Sequence, residues 1–166
     1  MSHRFAYALI HDNILTLGHP DPRGNHLRLT PTGISLHTPS ESTSEDLPWT
    51  TIRSVTPSPP LAHFRPPAWL SLPAAVISAY IGLEWEPTVS DIPIRITSET
   101  TGTEQLHEFT CTGFIAHGYR RSQCDAIQSA LHLLIRDERA RALLADPRRF
   151  LATVQRASIT EESSEK

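Results

Sequence analysis

The residues of this chain with the chemistry to hold a metal or to act as base and nucleophile are nine histidines and two cysteines. The histidines stand at positions 3, 11, 19, 26, 37, 63, 107, 117 and 132. No pair has the HExxH spacing that puts two imidazoles on one helix face, and Cys111 and Cys124 form no C-x-x-C. The expectation is therefore no metal site and no cofactor. His26 and His37 flank a turn in alternating segments, which sets them opposite each other as a surface pair on neighbouring strands. His107 shares a strand face with Phe109 and Cys111 and reads as a hydrogen-bonded core histidine. Cys111 with His107 or His117 is the one Cys/His pairing close in sequence. A thiolate nucleophile needs an exposed, electropositive setting, and a mid-strand cysteine after Phe109 reads instead as buried and inert. The chain has no G-x-S-x-G and no GxxxxGK phosphate loop. The residues point to no catalytic centre.

Two other groups carry binding chemistry. HGYRR (117–121) puts Arg120 and Arg121 just before a helix N-terminus, where guanidinium groups and free backbone N–H groups would contact an anion. The competing reading is a pair of solvated loop arginines. The run from Pro66 to Leu83 has no charge and is bracketed by Trp69 and Trp85. It approaches the length of a membrane span. Pro73, Ser71, Ser78 and many alanines lower its hydropathy, so it reads better as an apolar loop followed by a core strand. Phe64, Trp69 and Leu70 are its candidate contacts with a partner or a membrane surface.

These groups need a frame. Leu27 and Leu29 alternate with polar residues, as do Ile34 and Leu36, and Pro31-Thr32-Gly33 lies between. This pattern predicts a hairpin, with proline presetting the turn and Gly33 taking a left-handed conformation to close it. PSESTSED (39–46) reads as an exposed acidic loop. In LPWTTIRSV the spacing predicts a tight turn at Trp49, which plugs the core, and a strand from about Ile52. Earlier, Phe5 to Ile10 and Ile14 to Leu17 each read as a short strand. TPSPPLAHFRPPAW (56–69) is too proline-rich for a central strand or a helix interior. Alternation predicts strands at Ile81–Trp85, Ile92–Ile96 and His107–Cys111, with SETTG (98–102) as a turn. Ser122 is an N-cap candidate for one helix over 122–145, with Ile127, Leu131, Leu134 and Ile135 as its apolar stripe. Asp146-Pro147 ends it and starts a shorter helix carrying Phe150, Leu151 and Val154.

The 166 residues suit one domain, here 1–157 with a proline-rich insertion at 56–73, followed by a disordered acidic tail at 158–166. Low charge and 14 prolines favour a loop-rich fold. A net charge of −3 argues against general affinity for nucleic acid. MSHRFAYALI has too short an apolar run for a secretory signal, so the expected location is cytoplasmic.

HLRLTPTGISLHT, the Pro-Trp-x-x-Ile-x-x-Val step in LPWTTIRSV, and late strands closed by a helix together resemble the bacterial pleckstrin-homology-like (PH-like) domains. The resemblance spans roughly residues 24–145. Only Lys166 among the 15 basic residues is a lysine, a preference that fits a GC-rich, actinobacterial genome. The resemblance implies a mainly β (α+β) fold: a bent antiparallel sandwich, or partly open barrel, capped by a C-terminal helix. It also implies a non-catalytic interaction module. Lipid-binding members carry basic residues around the first hairpin loop. Here that loop is TPTG, short and uncharged, which argues against phosphoinositide binding. We expect a protein partner, docked on a sheet edge or on the loop 56–73, and a homodimer through a sheet edge as an available assembly. The alternatives are a peripheral membrane module and a small-ligand carrier or enzyme on a barrel-like scaffold.

Overall fold

In a computed structural model the described residues are 4–20, 24–39, 44–62, 90–115 and 118–164, with side chains through Ala157. The expected strand at Ile81–Trp85 lies outside them, as does His117.

The first sheet is an antiparallel meander of six strands in sequence order: β1 (Arg4–Phe5), β2 (Ala8–His11), β3 (Ile14–Leu17), β4 (His26–Leu29), β5 (Gly33–His37) and β6 (Glu45–Pro48). Asp12 and Asn13 both adopt positive φ, 49° and 60°, the geometry of a tight two-residue hairpin between β2 and β3. The first apolar patch is two strands rather than one, because the chain turns at Ala6, where φ is 49°. The acidic loop is shorter than expected: its last residues, Glu45 and Asp46, pair with β5 opposite Leu36 and Ser35.

The hairpin β4–β5 forms as its alternation predicts, with Leu27 opposite Leu36 and Leu29 opposite Ile34. Thr30 closes its turn, since its N–H and its hydroxyl both donate to the Gly33 carbonyl, at 2.9 and 3.0 Å. Gly33 itself is not left-handed, contrary to expectation. It is glycine for a different reason: a Cβ there would collide with the backbone carbonyl of Leu47 on β6. Trp49 is the plug that the sequence suggests. It is buried, and its indole Nε1–H donates to the Thr30 carbonyl at 2.8 Å, which ties the turn after β6 to the β4–β5 turn.

The second sheet holds β7 (Ile52–Pro57), β8 (Ile92–Thr100) and β9 (Thr103–Cys111) in that order, all antiparallel. Ile92, Ile94 and Ile96 point inward opposite Cys111, Phe109 and His107. The β8–β9 hairpin is longer than apolar alternation suggests. Its polar outer half turns only at Thr101-Gly102, both at positive φ.

Four helical segments follow: α1 (Arg121–Arg136), α2 (Glu138–Ala142), a 3-10 turn (Leu143–Ala145) and α3 (Pro147–Ser164). The single helix expected over 122–145 is thus broken at Asp137. That residue is extended (φ −123°, ψ 115°), and its carboxylate accepts from the Arg139 N–H at 2.8 Å, starting α2. The freed carbonyls at the end of α1 are met by Arg141, whose Nε and Nη2 donate to Leu134 O and Ile135 O at 2.7 and 2.6 Å. The N-cap of α1 is Arg120 rather than Ser122, and no side chain caps it. Asp146 caps α3 as expected, accepting from Arg149 N–H at 3.1 Å. The α3 backbone runs to Ser164, into the stretch where the composition predicts a disordered tail. A helix already nucleated by packed residues extends through polar ones at little cost.

One apolar cluster takes side chains from both sheets and all four helical segments, including Leu15, Leu27, Ile34, Trp49, Val55, Ile94, Leu131, Leu144 and Phe150. The fold is mainly β, two antiparallel sheets closed by a C-terminal helical region.

Candidate functional site

The helical region covers the outer side of β7. The Ser58 N–H donates to Pro93 O at 2.8 Å, so that position turns toward β8. Alternation along an antiparallel strand then turns the backbone groups of Val55 and Pro57 away from the sheet. The Val55 carbonyl is met there by a side chain instead of a strand: Gln128 Nε2, from α1, donates to it at 2.9 Å. Proline at 57 has no N–H to leave bare, which is why it is tolerated on an edge.

Beyond that contact a cleft of about 480 Å³ opens between strand and helix. Thr56, Pro57, Ser58 and Leu61 line one side, Cys124, Asp125, Gln128 and His132 the other, and Tyr7 also contributes. The Gln128 amide lies 2.9 Å from His132 Nε2 as well. Leu61 forms a parallel bridge with Tyr119, so the start of the proline-rich segment is tied to the residues leading into α1. Tyr119 in turn stacks edge-on against Tyr7, with ring centroids 5.7 Å apart.

Burial shifts two ionisable groups of the cleft. Burial, followed by the nearby Cys124 and Asp125, pushes the Tyr7 phenol well above its ordinary range. Burial and then Asp125 push the Cys124 thiol up to about 11. Both are neutral at physiological pH, and a neutral thiol is a poor nucleophile. Asp125 is exposed and is the one carboxylate among the lining residues.

Arg120 and Arg121, the candidate anion contacts, are both exposed at the start of α1, one turn before Cys124. Phe64, Trp69 and Leu70 lie outside the described residues. No group of three or more His, Cys, Asp or Glu side chains suited to a metal ion occurs among the described residues. Cys111 is fully buried, and burial pushes its thiol up to about 12.

One histidine arrangement differs from its sequence reading, and a second is hydrogen-bonded as read but only half-buried. His26 and His37 do face each other, with ring centroids 4.5 Å apart, but the pair is not a surface pair, because His26 is buried. Its Nδ1 lies 3.2 Å from Gly24 O, and its buried Nε2 has no hydrogen-bond partner among the described residues. His107 is half-buried between Ser98 Oγ, 2.9 Å from Nε2, and Glu45 Oε1, 3.3 Å from Nδ1. Hydroxyl, imidazole and carboxylate stand in the order of a nucleophile–base–acid chain. Ser98, however, is 2% exposed, so its hydroxyl is not presented to any solute. The chain instead ties β6 of one sheet to β8 and β9 of the other. No local sequence signal links residues 45, 98 and 107. Only the topology brings them together.

The chain matches no family model, no curated protein and no solved structure.

Proposed function

We propose that this chain is a non-catalytic interaction module of the bacterial PH-like kind, acting in the cytoplasm on a protein partner. An extended segment of that partner lies in the cleft between β7 and α1. The observation that supports this reading is the outward edge of β7. Its Val55 carbonyl accepts from the side-chain amide of Gln128, beside a cleft with a largely apolar lining and one carboxylate. Swinging Gln128 aside frees a backbone acceptor for strand addition, and the cleft takes alternate side chains of the incoming segment. Thr56→Trp tests the reading, since Thr56 is exposed and lines the cleft. A protein captured by the wild type from its native extract is expected to be lost with this variant while the circular dichroism spectrum is retained. Equal capture by both would refute the assignment of the cleft.

One observation favours a second reading, contact with an anionic membrane surface. Arg120 and Arg121 are exposed at the N-terminus of α1, whose first turn has no acidic residue. Co-sedimentation with phosphatidylserine vesicles, lost in an Arg120→Glu/Arg121→Glu variant, would support it. Protein left in the supernatant by neutral and anionic vesicles alike would exclude it.

A further inference from the structure

A second surface lies on the helical region and shares no lining residue with the β7 cleft. Between α1, α2 and α3 runs an apolar groove of about 210 Å³. Its walls include Ala126, Ala130, Ala140 and Ala157, and Leu133 and Leu143 stand at its sides. Leu133 is 51% exposed and Leu143 39%, and with Leu106 they are the exposed large hydrophobic side chains among the described residues. Alanine walls between protruding leucines leave room for a partner's larger side chains. Two helices that form such a trough accept a third helix, whose side-chain ridges settle between theirs.

The charge around the groove selects the occupant. The helical region, residues 118–164, carries eight arginines and six carboxylates, in a chain whose net charge is −3. Two of those carboxylates, on Asp137 and Asp146, accept from the backbone N–H groups of Arg139 and Arg149 as helix caps. Arg136 is exposed and follows Leu133 by three positions; Arg149 is exposed and precedes Thr153, which lines the groove, by four. Each spacing places an arginine on the same helix side as a groove residue. A second copy would set these arginines against their own kind. The uncharged run 66–83 of this chain offers them no carboxylate.

We propose that this groove docks an amphipathic helix of a partner protein, with its apolar stripe against Leu133, Leu143 and the alanine walls and its acidic flanks against Arg136 and Arg149. The mode is helix in groove, with charge setting the choice of partner.

The probe is a synthetic peptide of about 18 residues, five helical turns, with leucines at i, i+3, i+4 and i+7 and glutamates elsewhere, fluorescently labelled. Its twin carries lysine for every glutamate. Anisotropy at low salt should show the acidic peptide binding the full chain about tenfold or more tighter than the twin. Leu133→Glu should abolish that binding, and Arg136→Glu/Arg149→Glu should reverse the preference. All three substitutions are at exposed positions, and an unchanged melting curve will show that the fold is intact. Failure of the acidic peptide to bind, equal binding of the twins, or indifference to Leu133→Glu would overturn the proposal. So would a dimer in sedimentation velocity that Leu133→Glu dissociates, which would make a second copy the occupant.

Discussion

At the scale of single residues, the sharpest demands come from places where two segments meet. Gly33 is required by the carbonyl of Leu47, which leaves no room for a Cβ. Gly33→Ala must push β5 and β6 apart, and we expect it to cost about 1–3 kcal/mol in urea unfolding, typical of overpacking. Ser35→Ala, two residues along the same strand, should cost little by comparison. The glycine was legible in the sequence, but its reason was not. A turn-closing glycine and one pressed against a neighbouring strand look alike until the neighbour is known, and β6 lay hidden in an acidic stretch. His26 makes a second prediction. Burial, opposed in part by the Gly24 carbonyl and reinforced by His37, lowers its pKa below the ordinary 6.5. The unfolded chain therefore takes up this proton before the folded one does. The resulting stability contribution is fully present above about pH 6.5 and is lost as pH falls toward the depressed folded value. Melting temperatures of wild type and His26→Leu between about pH 7.5 and 5.5 should show the variant gaining relative to wild type as pH drops. A constant gap would mean that His26 does not titrate differently in the two states.

At the scale of elements, alternation located β4, β5 and the apolar halves of β8 and β9, because one face of each strand is buried, and the spacing of Trp49, Ile52 and Val55 located the start of β7. It missed β6 and the outer part of the β8–β9 hairpin, where polar side chains on both faces leave no period to read. It also merged α1 with α2. The break at Asp137 is made by a cap and by Arg141, which reaches back to the carbonyls of Leu134 and Ile135. The apolar stripe runs on regardless. Arg141→Met keeps the stem and removes both charge-assisted bonds. It should lower stability by about 1–2 kcal/mol. Arg141→Lys should recover only part of this, since an ammonium lacks the planar fork that serves two carbonyls. Full recovery by lysine would show that charge at the end of α1 is sufficient.

At the scale of the whole molecule, two sheets and a helical region enclose one core, and contacts distant in sequence set their relation. Trp49 joins two turns, and the Ser98–His107–Glu45 chain joins the sheets. Gln128 joins α1 to the β7 edge. Little of the β7 cleft was legible beforehand. The proline-rich start at Thr56–Leu61 stood out by composition, whereas its opposite wall comes from residues more than sixty positions later, whose spacing signals only an ordinary amphipathic helix. The proposal that this cleft receives a protein partner is tested by a photo-crosslinking amino acid placed at Thr56 in the native cell, with the same group at Thr100 on the far hairpin as control. A discrete protein adduct is expected from position 56 and none from position 100. Adducts of equal yield from both positions, or none from position 56, would contradict it.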